Sequence, residues 1–150
     1  MVQRHILQQS RSTEPVRSIA VPLLRILPMT NRGDDQLENK RETGSGYEKI
    51  AAAYLVEQGL NIVEYNYRSR RAEIDLIARD QDYLVFMEVK YRSTASSGDP
   101  AEAVDARKQA RIRHAARYYL YADGLGEEIA CRFAVVTILG EEITWYKNAF

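Results

Sequence analysis

Two strand-like runs lying almost side by side in the sequence limit what this chain can fold into. Ala72-Glu73-Ile74-Asp75-Leu76-Ile77-Ala78 and Tyr83-Leu84-Val85-Phe86-Met87-Glu88-Val89-Lys90-Tyr91 are rich in β-branched, aromatic and long apolar residues, the composition of strands packed in a sheet. Asp80-Gln81-Asp82 forms a polar turn between them, so the pair is expected to be an antiparallel hairpin. Strand side chains alternate between faces. Glu73 and Asp75 therefore share a face of the first strand, and Glu88 and Lys90 share a face of the second. The opposite face of the second strand carries Val85, Met87, Val89 and Tyr91 and reads as a core face.

Register decides whether the charged pairs meet. A two-residue loop at 81–82, or a four-residue loop at 80–83, sets Asp75 opposite Glu88 and Glu73 opposite Lys90, with Cβ atoms about 5 Å apart. A three-residue loop without a bulge pairs Asp75 with Met87 and disperses the charges. Opposed carboxylates repel by roughly 4 kcal/mol at about 4 Å under an effective dielectric near 20. A cation or a proton relieves that repulsion, and carboxylate oxygens completed by water and phosphate are the usual setting for Mg²⁺. Lys90 then stands where it can orient a water or steady a phosphate. Spacing alone leaves two readings open: a metal site, or a solvated hairpin face on which Glu73 pairs with Lys90. Glu-x-Lys by itself is uninformative. Glu38-Asn39-Lys40 fits the same pattern in polar, aperiodic sequence with no strand beside it.

The rest of the folded part begins at Gly44. Tyr47, Ile50, Ala51, Tyr54, Leu55 and Gln58 follow helical spacing, with Gly59 as the stop, and a strand is expected over Leu60 to Tyr67. After a loop at Ser93 to Asp99, Pro100 fits a first helical turn behind Asp99. A long helix follows over roughly Asp105 to Ala122, with Ile112, Ala115, Ala116, Tyr119 and Leu120 as its apolar stripe. Gly124 and Gly126 end it. Strands at Cys131 to Leu139 and Glu142 to Tyr146, joined by Gly140-Glu141, close the chain. Helix, three strands, helix and two strands imply an α/β fold: a mixed sheet with helices packed on it.

Residues 1–43 differ in being polar and aperiodic. They are expected as a poorly ordered extension with at most a short helix near Ile19 to Leu27. Met29 offers a second reading, in which translation starts there. The apolar stretch Ile19 to Met29 is broken by Pro22, Arg25 and Pro28 and falls well short of the ~20 residues a membrane helix needs. It also lacks the form of a secretory signal. With one cysteine, Cys131, neither a disulfide framework nor a zinc cluster is available within the chain. Cytoplasm is the expected compartment. Net charge is zero, from 21 basic and 21 acidic residues, so binding to a polyanion would need a local basic patch. The helix surface from Asp105 to Tyr118 supplies one, with Arg107, Lys108, Arg111, Arg113 and Arg117 against Asp105. Arg70, Arg71 and Arg92 add charge near the hairpin. Such a run also fits the ordinary solvated side of an amphipathic helix.

Glu48 in the first helix, Ala72 to Ala78, Val85 to Lys90, Gly98-Asp99-Pro100-Ala101-Glu102-Ala103-Val104, Lys108, Arg132-Phe133 and Asn148-Ala149-Phe150 together resemble the YraN family of uncharacterised, endonuclease-like bacterial proteins. The match covers about residues 44 to 150. The resemblance implies a restriction-endonuclease-like PD-(D/E)xK fold and a Mg²⁺- or Mn²⁺-dependent nuclease acting on DNA or RNA, including branched or damaged structures. It implies Asp75 and Glu88 as metal ligands, joined by the backbone carbonyl of Val89. Lys90 would be the catalytic lysine, and Glu48 the helix carboxylate that reaches the metal. Arg71, Arg92, Lys108 and Arg111 are the residues expected to hold nucleic acid. Tyr47, Ala72 and Ala134 depart from the family's usual Gly, Gly and Asp. The competing reading is a non-catalytic module that binds nucleic acid or a protein through the same helix. A hydrolase of another phosphate ester is a third.

Overall fold

A computed structural model describes residues 16–20, 36–92, 104–126 and 128–150, with side chains from Gly46 onward. The elements are β1 (Val16–Ala20), α1 (Gln36–Glu57), β2 (Asn61–Arg68), β3 (Glu73–Asp80), β4 (Tyr83–Arg92), α2 (Ala106–Ala122), β5 (Cys131–Leu139) and β6 (Glu142–Tyr146). Strands β2 to β6 make a mixed sheet, to which β1 is added antiparallel along β6. The spatial order is β1-β6-β5-β4-β3-β2. Among the described strands, only β4 and β5 run parallel. A parallel pair needs a crossover, and α2 lies between those two strands in the chain. The expected α/β architecture is the one observed.

The N-terminal expectation needs correcting. Ile19 and Ala20 are extended, within β1, so the short helix expected near Ile19 to Leu27 does not begin there, and residues 21–27 lie outside the described residues. The helix expected to begin after residue 43 already starts at Gln36. Gln36, Leu37, Glu38, Lys40, Arg41 and Glu42 are good helix formers even without an apolar period, which is why a periodicity search passes over them. Strand β1 forms because β6 would otherwise leave a row of backbone donors and acceptors unpaired. The decoy Glu38 and Lys40 lie in α1 and belong to no strand. Asp99 and Pro100, expected in a first helical turn, lie outside the described residues.

Local chemistry fixes the helix ends. Gly59 has φ of 94°, a conformation glycine adopts without a Cβ penalty. Its N–H donates to the Val56 carbonyl while Leu60 N–H donates to Leu55, the paired bonds of a Schellman stop. At the start of α2, the Asp105 side chain accepts from Lys108 N–H at 2.7 Å, satisfying one of the helix's orphan donors.

Both faces of the sheet are core. Tyr54, Leu55 and Ile50 of α1 pack over Leu76, Ala78, Val85, Met87, Ala134 and Val136. On the other face, Ile112, Ala115, Ala116 and Tyr119 of α2 cover Ile77, Leu84, Phe86 and Val135. The sequence identified only one core face of β4. The face that carries Glu88 is also covered, because Leu84 and Phe86 precede Glu88 at two-residue spacing and pack under α2. The solvated-face reading of the hairpin therefore fails.

Candidate active site

The hairpin turn is the two-residue one. Asp80 pairs with Tyr83, Ile77 with Phe86 and Leu76 with Met87, around Gln81 at φ 54°. Continued one step, this register sets Asp75 against Glu88, as the spacing required. The ladder, however, ends at Leu76 and Met87. Beyond it Val89 N–H donates to Asp75 Oδ2 at 2.7 Å, so a side chain replaces the missing backbone acceptor. In an antiparallel pair a residue's N–H and C=O address the same neighbouring strand. The Val89 carbonyl therefore faces the same gap.

The regular alternation breaks at this level in both β2 and β3. Leu76 packs under α1, yet Ile74, two residues earlier, packs under α2. In β2, Tyr65 pairs with Leu76 and Tyr67 with Ile74, which places Asn66 opposite Asp75. Asn66 has φ of 53°, a conformation asparagine tolerates better than most residues. Its side-chain N–H donates to Glu48 Oε2. The kink thus ties the carboxylate of α1 to the strand beside Asp75. Sequence reasoning missed this role. Its one visible signal was an asparagine, a residue depleted in strands, between two tyrosines of a strand pattern.

Glu88 is 2 % exposed. Its Oε1 receives Lys90 Nζ at 2.7 Å and Lys108 Nζ at 3.1 Å, while its Oε2 is buried with no hydrogen-bond partner. Glu73 does not pair with Lys90, contrary to the solvated-face reading. It takes Arg68 instead, at 3.1 Å. Burial, followed by the Glu88 charge, pushes the Asp75 acid from 3.8 up to about 7, against the Val89 hydrogen bond and Lys108. Burial likewise raises Glu48, with Glu73 and Glu88 adding to it and Asn66 and Arg68 opposing it. Three carboxylates thus influence one another across the gap, two of them held toward their protonated forms.

The donor set suits a hard divalent cation in kind: two carboxylates, a backbone carbonyl and a more distant Glu48. The unsatisfied Glu88 Oε2 is the observation that fits such an ion, since buried polar atoms without partners are rare in folded proteins. Among the described residues, no three Asp, Glu, His or Cys side chains stand together as a metal-holding group. Any ligand set here would have to include the Val89 carbonyl or water.

Of the residues expected to hold nucleic acid, Lys108 turns inward onto Glu88. Arg111 is exposed, and its Nε donates to the Arg71 carbonyl at 3.2 Å. That bond links α2 to the turn before β3 and brings Arg71, Lys108 and Arg111 to one side of the gap. Arg92 ends β4, two residues past Lys90. Arg113 leaves the basic surface, lying 5.8 Å and 5.2 Å from the ring centres of Phe133 and Phe150. Tyr67 packs edge-on against Tyr119. Tyr47, one of the departures from the family pattern, stacks on Tyr91 with ring centres 3.7 Å apart. Ala134 is fully buried in the core under α1. His114 is exposed, as expected of a surface helix residue.

A family model described as "Uncharacterised protein family UPF0102" matches residues 47–138. The chain belongs to UPF0102. The matched span runs from the helix residue before Glu48 to Ile138 in β5, so it contains every side chain of the gap. A UPF0102 protein of Lachnoclostridium phytofermentans is 51% identical over 112 residues, covering 75% of this chain and 95% of the relative. One from Chromohalobacter salexigens is 44% identical over 126 residues, covering 81% and 98%. One from Klebsiella pneumoniae is 45% identical over 111 residues, covering 73% and 87%. Membership of an uncharacterised bacterial family is thus established. No helix among the described residues is long and apolar enough to cross a membrane.

Proposed function

We propose that this UPF0102 protein is a Mg²⁺- or Mn²⁺-dependent nuclease of restriction-endonuclease-like fold that hydrolyses phosphodiester bonds in DNA or RNA. Glu88 carries the reading: a carboxylate with one oxygen on two lysines and the other buried and unsatisfied, next to an acid held near neutrality. A fold gains nothing from crowding carboxylates in its interior. Chemistry on a phosphate explains the arrangement. When bound, the metal ion would supply an acidified water and charge stabilisation at the phosphate. Asp75, Glu88 and the Val89 carbonyl would hold it, with Glu48 supporting from α1.

The chain's own groups account for the remainder. The Lys90 side chain is partly exposed, so it can leave Glu88 to orient water or a non-bridging phosphate oxygen. The water oxygen would bond to phosphorus as the bond to the departing sugar oxygen breaks; the water gives one proton to solvent and the sugar oxygen takes one from it, leaving a phosphate monoester and a hydroxyl. Arg71 and Arg111 stand beside the gap to fix the flanking phosphates. A single free thiol, Cys131, suits a reducing cytoplasm.

One observation favours the non-catalytic alternative. Lys90 and Lys108 together neutralise Glu88 without any metal, as a purely structural ion cluster would. A cleavage panel separates the two readings. The purified protein is incubated with end-labelled single strands, duplexes, flaps and four-way junctions of DNA and RNA, in Mg²⁺, Mn²⁺ or EDTA. The nuclease reading expects cleavage of at least one substrate in metal and none in EDTA. Binding without cleavage across the panel would decide for the non-catalytic module.

A further inference from the structure

Helix α2 carries five basic residues and no acidic ones between Ala106 and Ala122. Lys108 lies on Glu88 and Arg113 on Phe133 and Phe150. Arg111 gives its Nε to the Arg71 carbonyl but remains exposed, as Arg107 and Arg117 are. Arg107, Arg111, His114, Tyr118 and Tyr121 recur at intervals of four, three, four and three, and all five are exposed. That spacing aligns them along one flank of the helix. From Arg107 to Tyr121 the stripe is about 21 Å long at ~1.5 Å per residue.

This is not the make-up of an ordinary solvated helix face. Such faces mix both signs of charge, whereas this one carries only positive charge beside two exposed tyrosines. Here Tyr118 is 52% exposed and Tyr121 84%. The stripe is also continuous with the site. Arg111 is bonded to the Arg71 carbonyl, and Lys108, one residue after Arg107, reaches Glu88. At the other end Tyr118 lies within electrostatic reach of Tyr67 in β2. The cationic half therefore adjoins the gap, and the aromatic half lies farther away along the same flank.

We infer that this flank of α2 is a binding track for single-stranded nucleic acid, with phosphates on Arg107 and Arg111 and unpaired bases stacked on Tyr118 and Tyr121. The chemistry favours a single strand over a duplex. A duplex offers its phosphates but keeps its base faces stacked inside, whereas a single strand presents both. A protein partner with acidic groups against the arginines is the competing occupant, and it predicts no preference for single strands over duplexes. The inference rests on the nuclease reading for its substrate class. It adds that the scissile bond lies at or near an unpaired segment, as in a frayed end, a flap or a loop.

Fluorescence anisotropy of the full chain in EDTA, with labelled ~20-nucleotide single-stranded and duplex probes, tests this without cleavage intervening. Wild type should bind the single strand more tightly than the duplex. Tyr118→Ala/Tyr121→Ala should weaken single-strand binding by about tenfold or more and leave duplex binding and the salt dependence unchanged. Tyr118→Phe/Tyr121→Phe should retain binding, because it keeps the stacking faces. Arg107→Gln/Arg111→Gln should weaken both probes and lower the salt slope by about two. The track is refuted if the alanine pair binds the single strand as wild type does, or if the duplex is preferred. The outcomes also separate from the nuclease reading. Metal-dependent cleavage that is indifferent to the tyrosines would remove only the track. Tyrosine-dependent binding with no cleavage under any metal would remove only the nuclease.

Discussion

Glu88→Gln should lower metal-dependent cleavage by about 10³-fold or more while the protein remains folded. The substitution keeps the size of a side chain that is 2 % exposed and still offers an oxygen to Lys90 and Lys108. It replaces one carboxylate oxygen with an amide nitrogen, which cannot ligate a cation. Stability survives for an electrostatic reason. After burial, the Glu88 charge is the largest cause holding Asp75 protonated, so its removal shifts Asp75 toward its charged form, which Lys108 favours. Lys90→Met should also depress turnover, by about 10²-fold or more, with nucleic-acid affinity little changed because Lys108, Arg71 and Arg111 remain. Turnover measured under saturating substrate, with circular dichroism on the same samples, checks both. Full activity in either variant would remove that residue from the chemistry.

The second large effect is on stability and follows from Asp75. Its folded acid constant, about 7, lies above its unfolded value of 3.8, so the native state holds this proton more tightly than the unfolded chain does. Folding therefore draws full benefit below about pH 4 and loses it as pH rises toward 7. Removing the acid removes the loss. In metal-free buffer at pH 8, Asp75→Asn should be more stable than wild type by on the order of 4 kcal/mol, since each tenfold change in proton affinity is worth ~1.4 kcal/mol. In a chain of this size that is a rise in Tm of about 10 °C. Near pH 4 the difference should vanish, because the asparagine carbonyl still accepts from Val89 N–H. Thermal melts at both pH values in EDTA measure it. Equal gains at the two pH values would mean that the proton on Asp75 is not the cause.

Much of this site was legible because it is local. The hairpin needs only Asp80-Gln81-Asp82 between two apolar runs, and a two-residue loop then forces Asp75 to the level of Glu88. The stops at Gly59 and Gly124 are likewise one-residue signals, whereas the cap at Asp105 is passed over in favour of Asp99. What remained hidden depends on long-range geometry. The opening of the hairpin beyond Leu76 lies level with the kink at Asn66 in a neighbouring strand. The second cation on Glu88 comes from α2, where Lys108 looks like any other member of a basic run. The solvated alternative for Glu88 stood open in the sequence, and only the cover that α2 gives that face closes it. Strand β1 has no period to betray it, since it is specified by the open side of β6. The same limit applies to Arg113, which counts as surface charge in sequence and lies on two aromatic rings in space.

The claim on which the rest depends is that Asp75, Glu88 and the Val89 carbonyl form a divalent-cation site. Titration calorimetry with Mn²⁺ at pH 7, in two buffers of different ionisation enthalpy, tests it most directly. Wild type should bind one ion with release of a fraction of a proton, as Asp75 gives up the one it holds, and Asp75→Asn should show no such binding. Equal Mn²⁺ binding by both proteins, or none by wild type, would contradict the account and leave a buried ion cluster with no metal.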